Sequence, residues 1–242
     1  MDEFLNKMYS NLEFDESWIY KELSFINVPE YEKDLFSGYG KSVTNKYDEI
    51  IDSCHGKNTV VFPYEYWLLM INKHFFRKDK KYIKLYMPVK YNNLVNTVSD
   101  TVNFLDDENI LHNSKMASEI RNDNFIIRLN YEDKDVVNDI LSFIESKKYN
   151  STSLNEPSPF LPSIDNVGIM IEEGYSYNSD ISKLVSSFLK TCALNDCKEV
   201  HKEDFKDYIE NLKNNNLCNS YTYETFMCAY YQEKNKELVL RK

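Results

Sequence analysis

The stretch Tyr82-Ile83-Lys84-Leu85-Tyr86-Met87 alternates between apolar side chains and polar or aromatic ones. A period of two places successive side chains on opposite faces of a β-strand. One face of this strand is therefore apolar, and the other carries Lys84. The chain continues with an apolar stripe at helical spacing, formed by Leu94, Val95, Val98, Val102 and Leu105. Such a helix would cover the apolar side of a sheet.

The same order of strand and helix recurs about 42 residues further along the chain. Residues 125–129 predict a second strand, and apolar residues at helical spacing follow between 136 and 144. Shorter strands are predicted at 110–116 and 168–172. Two strand–helix units with additional strands favour the α+β class, with a mixed or antiparallel sheet and helices mainly on one face.

The rest of the chain is predicted to be mostly helical. Residues 1–75 form a helical N-terminal portion, in which a helix begins at Pro63 and carries Trp67, Leu68, Met70 and Ile71. A proline-containing loop at 150–162 precedes a helix from Ser179, and two further helices, at 203–212 and 221–231, close the fold. We interpret residues 1–242 as one domain.

The composition and net charge of the chain indicate which kinds of partner are expected. The 242 residues are 42% hydrophobic and 14% aromatic, which predicts a folded chain, and the formal net charge is −10. An acidic protein has no general attraction to nucleic acid or to an anionic membrane, so neither is an expected partner. The acidic N-terminus does not resemble a signal peptide, and we expect a cytoplasmic protein, with secretion as an effector as the alternative.

Five cysteines without a CxxC pair and four scattered histidines predict neither a disulfide framework nor a metal site. No glycine-rich phosphate loop is present, so no cofactor is expected.

A cluster of cations is the main chemical signal. Lys84 lies on the polar face of its strand, and Lys115, Arg121 and Arg128 follow within the neighbouring predicted strands and their connection. A phosphate pocket is one interpretation, because arginine offers a planar fork of donors and lysine a mobile charge. The alternative, more common for charge runs, is a set of solvated cations that pair with nearby carboxylates.

The order and spacing of these residues resemble the lyase core of the phosphothreonine-lyase superfamily. The resemblance covers residues 81–193 and rests on Lys84-Leu85-Tyr86-Met87, Lys115, and Arg121-Asn122-Asp123 before a strand. The stretch 114–129, the loop at 156–159, Gly168 and the helix from Ser179 resemble most the HopA-type effectors of plant pathogens and the stand-alone lyases of lanthipeptide biosynthesis. Residues 1–75 are outside the resemblance.

The resemblance implies a role for each matched residue. In the family a Lys-x-His pair on the first strand supplies a phosphate-binding lysine and a histidine general acid; Lys84 matches the lysine, whereas Tyr86 replaces the histidine. Lys115 matches the base that removes the Cα proton. Arg121 matches a phosphate-clamping arginine, and Arg128 is the weaker candidate for that role. The reaction implied is metal-independent β-elimination of phosphate from phosphothreonine or phosphoserine.

Three functions remain open at the level of sequence. The first is a lyase that acts on a phosphorylated peptide or protein, such as a lanthipeptide precursor delivered with a kinase-like synthetase partner, or a host signalling protein. The second is a non-catalytic module that retains the fold and binds a peptide or partner. The third is an interaction protein in which the cations are only surface charge.

Overall fold

The structure is a computed structural model that describes residues 1–12, 14–54, 58–76, 81–149, 157–173 and 176–240. Its contacts divide the chain into two compact units. The first unit comprises Met1–Ser24, Ser158–Pro162 and Glu172–Lys242, and the second comprises Phe25–Pro157 and Ser163–Ile171. The grouping of residues 1–242 into one lyase-like domain stays a prediction.

Helices and strands both contribute to the described residues. The α-helices are α1 (Asp2–Ser10), α2 (Glu16–Phe25), α3 (Tyr47–Ser53), α4 (Leu94–Asp107), α5 (Val137–Ser146), α6 (Tyr177–Leu194), α7 (Lys202–Asn214) and α8 (Ser220–Leu240). The strands are β1 (Thr59–Tyr64), β2 (Trp67–Asn72), β3 (Lys81–Met87), β4 (Asn113–Ala117), β5 (Phe125–Asn130), β6 (Ser163–Ile164) and β7 (Val167–Glu173). Short 3₁₀ turns precede α3, α4 and α5.

The strands form one seven-stranded sheet in the order β1-β2-β4-β5-β3-β7-β6. The pairs β1–β2, β2–β4, β4–β5, β3–β5 and β6–β7 are antiparallel. The predicted α+β class, the antiparallel sheet and the helical N-terminal region are therefore confirmed. The strands predicted at 82–87, 110–116, 125–129 and 168–172 correspond to β3, β4, β5 and β7. The last three helices begin within two residues of their predicted starts, although α8 extends to Leu240, beyond its predicted end at 231.

One face of the sheet holds the core of the second unit. Leu85, Met116 and Ile127 are fully buried there, on three different strands. The apolar stripe of α4, the residues Leu94, Val98, Val102 and Leu105, packs into the same cluster, as do Ile50 of α3 and Ile140 of α5. The alternation in each strand and the helical period in α4 thus meet in one apolar layer, as the sequence pattern predicts.

The prediction of a helix that begins at Pro63 is wrong. Residues 59–72 form a β-hairpin in which Tyr64 pairs with Trp67 across the two-residue turn Glu65-Tyr66. Glu65 adopts a positive φ of 50°, the conformation that tight hairpin turns require. The segment 59–64 is rich in β-branched and aromatic residues, which favour strands, and Pro63 is tolerated because β1 is the outer strand of the sheet.

A buried polar network ties this hairpin to α4. Asp106 accepts hydrogen bonds from the Thr59 hydroxyl at 2.7 Å and from the Asn72 side chain at 3.3 Å. His112 lies between the Thr59 hydroxyl, 3.0 Å from its Nε2, and the Ser114 hydroxyl, 2.9 Å from its Nδ1. Because buried polar groups need partners, this network fixes one register of β1, β2 and β4 on the helix.

The first unit has an aromatic core. The ring of Phe160 contacts Phe4 and Phe205 edge to face, with centroid distances of 5.7 and 5.8 Å, and stacks near Phe226 at 6.5 Å. The buried Tyr177 hydroxyl donates to the Phe160 carbonyl. These contacts hold α1, α6, α7 and α8 around residues 158–162 by edge and stacking geometries that aromatic pairs prefer.

None of the helices in the described ranges has both the length and the apolar character needed to cross a membrane.

Candidate functional site

The strand register places three of the predicted cations on one face of the sheet. Lys84 of β3 is directly opposite Arg128 of β5. Lys115 of β4 is opposite Ile126, which is two residues from Arg128 on β5. Since directly paired residues share a face and the side-chain period is two, Lys84, Arg128 and Lys115 project from the same side. Tyr86 also pairs with Ile126 and shares this side.

Aromatic rings support the positive charges. The Lys115 Nζ lies 3.6 Å from the centroid of the Trp67 ring, and the Arg128 guanidinium carbon lies 5.1 Å from that of Tyr82. Both distances are within the range of cation–π attraction. Lys84 is only 5% exposed, whereas Lys115 and Arg128 are half-buried. The cluster therefore runs from a solvent-accessible side at β4 to a buried side at β3.

The electrostatic setting changes the chemistry of Lys115. Burial, followed by the charges of Lys84, Arg128 and Arg121, lowers the pKa of Lys115 to about 8, while Asp123 opposes this change. Removal from water and neighbouring positive charges both disfavour the ammonium form. At neutral or slightly alkaline pH an appreciable fraction of Lys115 is thus a neutral amine, which can accept a proton.

Arg121 lies near the other cations but has its own counter-charge. It belongs to the turn between β4 and β5, and its guanidinium carbon is 5.8 Å from the Trp67 ring centroid. Its Nε and one terminal nitrogen donate to the two carboxylate oxygens of Asp123, the latter at 3.1 Å. A bidentate pair of this kind holds the guanidinium in place and offsets its charge. Arg121 therefore lies close to Lys115, and its charge is paired with the Asp123 carboxylate.

Side-chain hydrogen bonds and close packing hold that turn. The Asn124 side chain accepts from the Val89 amide at 2.8 Å and donates to the Val89 carbonyl at 2.7 Å. On the other side, Gly40 packs so closely that an added Cβ would lie 1.5 Å from the Ile120 carbonyl oxygen. The turn that presents Arg121 is thus fixed from two directions.

Tyr86 is buried, and its hydroxyl lies 3.2 Å from the sulfur of Met170, to which it donates. Met170 is on β7. A thioether is a weak hydrogen-bond acceptor, so this contact costs little to exchange for a stronger one. The role of Tyr86 as a general acid stays a prediction.

In the ranges that the structure describes, no three His, Cys, Asp or Glu side chains are grouped to hold a metal ion. Glu156, part of the loop that contributes to the resemblance, lies outside the described residues.

Trp67 and Asp123 belong to this site and were not predicted from sequence. The sequence pattern predicts a helix that carries Trp67, whereas in the structure Trp67 lies on β2 and its ring is beneath the amine of Lys115 on the neighbouring strand. The run Trp67-Leu68-Leu69-Met70 is apolar throughout, so its period does not distinguish a strand from a helix, and only the turn at Glu65-Tyr66 and the pairing with β4 place Trp67 on the sheet face. Asp123 is two residues from Arg121, a spacing that a turn can close into an ion pair.

Comparison with known proteins gives a result for the fold. No protein-family model matches the sequence, and no curated protein matches it. The structure is similar to that of an effector protein from Pseudomonas syringae pv. tomato strain DC3000, with a TM-score of 0.60 and 11% identity over 86% of this chain and 92% of that one. A second effector, from Pseudomonas syringae pv. syringae strain 61, gives a TM-score of 0.57 and 11% identity over 87% and 91%. The chain therefore shares the fold of these effector proteins.

Proposed function

We propose that the protein binds a phosphorylated serine or threonine of a peptide on the sheet face formed by Lys84, Lys115 and Arg128, and eliminates the phosphate to leave a dehydroamino acid. The observation that supports this most is the lowered pKa of Lys115, about 8, beside two further cations on one face. A base and a phosphate-binding surface then occupy the same place. The resemblance to phosphothreonine lyases supports the same reaction.

In the proposed reaction the neutral amine of Lys115 removes the Cα proton of the phosphorylated residue. The electron pair of that C–H bond forms the Cα–Cβ double bond, and the Cβ–O bond breaks with its electrons on phosphate. A lysine with an ordinary pKa of 10.5 would be almost fully protonated at neutral pH, whereas one with a pKa of about 8 is not. Burial and the neighbouring cations therefore make the base available.

The same cations stabilise the leaving group. Negative charge develops on the phosphate oxygens as the Cβ–O bond breaks, and Lys84 and Arg128, directly opposite each other on β3 and β5, present positive charge on that face. Fixed charges directed at developing charge lower the barrier more than they stabilise the bound substrate. Arg128 replaces Arg121 here as the main arginine, because the charge of Arg121 is offset by Asp123.

Tyr86 is the proposed acid, and it is also the reason for a second candidate function. A tyrosine hydroxyl is a weaker acid than an imidazolium at neutral pH, and its donation to Met170 directs the proton away from a substrate until that hydrogen bond is exchanged. If the hydrogen bond persists, the face would bind phosphate without turnover. That alternative is a binding module for phosphopeptides, or for a partner such as a kinase-like synthetase, in a bacterial producer or as an effector in a host.

Mass spectrometry of a phosphothreonine peptide tests the reaction, since elimination removes phosphoric acid and leaves an alkene, whereas hydrolysis leaves the alcohol. We expect elimination by the wild type, no product from Lys115→Ala, and a slower reaction from Tyr86→Phe. General acid–base groups contribute on the order of 10²–10⁴-fold, so both losses are measurable. Lys147→Ala, which removes an exposed lysine after α5, is the control and should leave the rate unchanged.

A wild type that binds the phosphopeptide without eliminating phosphate favours the binding module. Tyr86→His then restores the histidine of the resembling family, and gain of product in that variant would assign the missing step to the acid. If neither protein gives the alkene, the lyase proposal is refuted.

A further inference from the structure

An apolar surface continues directly from the cation cluster to the open edge of the sheet. Lys115 is opposite Leu69 on β2, and Leu69 is opposite Phe62 on β1. The neighbouring row contains Trp67 opposite Tyr64. All of these side chains lie on the face of the sheet that carries Lys84 and Arg128, because paired residues share a face.

This surface, which we call the hairpin face, consists of Val60, Phe62, Tyr64, Trp67 and Leu69. Its β1 members are solvent-exposed: Val60 by 43%, Phe62 by 37% and Tyr64 by 56%. Single exposed apolar residues are common, whereas a contiguous group of them beside a charged site is typical of a surface that binds a ligand or another protein. Trp67 joins the two surfaces, since its ring lies under the Lys115 amine.

We infer that the hairpin face is the second recognition element for the phosphopeptide, and that it selects a large apolar or aromatic residue about three positions from the phosphorylated one. This inference rests on the proposed function. Phe62 lies two strands away from Lys115, roughly 10 Å at the usual strand spacing, and an extended peptide covers this distance in about three residues. The cations receive the anionic phosphate, and the apolar residues receive the apolar side chain.

The chemistry of β1 favours a peptide lying across the face over a strand added to the edge. β1 is the outer strand of the sheet, but Pro63, its penultimate residue, has no amide hydrogen to donate. Proline on an outer strand interrupts the ladder that a further strand would need. Recognition therefore depends on the side chains of the hairpin face.

Fluorescence anisotropy tests the inference with two labelled peptides that carry the methylene phosphonate analogue of phosphothreonine, which has no Cβ–O bond to break and so cannot be eliminated. One peptide carries phenylalanine three positions to each side of this analogue, the other carries serine there, and both are also prepared with unmodified threonine in its place. The wild type should bind the phenylalanine peptide roughly ten-fold more tightly, in keeping with partial burial of one aromatic side chain. Phe62→Ser and Tyr64→Ser should each reduce that preference and leave binding of the serine peptide unchanged.

Phe36→Ser is the matched control, because Phe36 is fully exposed and lies outside every strand; it should retain the preference. Thermal unfolding of each variant verifies its fold. Equal affinity of the wild type for the two phosphopeptides, with phosphate still required, overturns the inference alone. Binding that does not depend on phosphate overturns the proposed function instead. A wild-type dimer that Phe62→Ser converts to a monomer would show that a second copy covers the hairpin face, which also overturns the inference.

Discussion

Replacing Lys84 with methionine should raise the pKa of Lys115. The two residues share a face and are separated by one strand, with their register offset by two residues. Usual strand spacings place their Cα atoms about 12 Å apart. At an effective dielectric constant of about 20, two unit charges at that distance repel by about 1.4 kcal/mol. This energy corresponds to a change of about one in pKa, so Lys115 should titrate near 9 in place of about 8.

The titration can be followed by NMR of the lysine side chains in protein labelled with ¹³C-lysine, and the Lys115 signal is assigned by its loss in Lys115→Arg. Lys147→Met is the control, since it removes an exposed lysine at the end of α5, whose apolar side packs into the core on the other face of the sheet. The Lys115 pKa should not change in the control. An unchanged Lys115 pKa in Lys84→Met, or a wild-type value near 10.5, would refute the electrostatic coupling on which the base depends.

Three further outcomes follow from the structure. Arg128→Ala should weaken phosphopeptide binding by roughly 1.5–3 kcal/mol in titration calorimetry. Arg121→Ala should weaken it by less, because Asp123 already offsets the charge of Arg121. Equal losses of binding energy in the two variants would contradict the proposed preference for Arg128. Gly40→Ala should lower the free energy of unfolding by roughly 1–3 kcal/mol through its clash with the Ile120 carbonyl, more than Gly38→Ala, where only a positive φ is strained. Burial lowers the pKa of His112 to about 4, so below about pH 6.5 the unfolded chain binds a proton that the folded chain does not. Because of His112, the free energy of unfolding measured by urea denaturation should fall by about 2 kcal/mol between pH 7 and pH 5, and His112→Gln should lack this decrease.

The sequence predicts β3, β5 and α4 well because the apolar residues of each recur on the side that packs into the core. Ile83, Leu85 and Met87 alternate with Lys84 and Tyr86, and the structure gives them the predicted faces. In these segments the local pattern and the tertiary packing agree on which side faces the apolar core, although the Lys84 side of β3 is also buried.

The hairpin at 59–72 shows where that reasoning fails. The spacing of its apolar residues fits a helical stripe formed by Trp67, Leu68, Met70 and Ile71. The same residues also fit a strand whose two faces are both partly covered. Short apolar runs do not distinguish these alternatives by period alone. The turn at Glu65 and the partner strand β4, which is distant in sequence, decide the structure.

Some positions in the candidate site follow from the sequence pattern, and others do not. That Lys84 and Arg128 share a face follows from alternation and strand pairing, since each lies on a strand with a clear pattern. The pairing of Arg121 with Asp123 and the place of Trp67 under Lys115 depend on the turn after β4 and on the hairpin, neither of which the pattern specifies. The resemblance favours Arg121 over Arg128 by its spacing, and the opposite order proposed here rests on the pairing of Arg121 with Asp123.

The central claim is that the Lys84–Lys115–Arg128 face receives a phosphate group of a peptide. Titration calorimetry of one threonine peptide in its unphosphorylated form and in a phosphorylated form whose bridging oxygen is replaced by methylene, so that the phosphate cannot be eliminated, tests it most directly, with wild type and with Lys84→Ala. The account predicts that phosphorylation strengthens binding to the wild type by at least ten-fold and that Lys84→Ala removes most of this gain, in keeping with the 1.5–3 kcal/mol typical of hydrogen bonds to charged groups. Equal affinity of the wild type for the two forms of the peptide would contradict it.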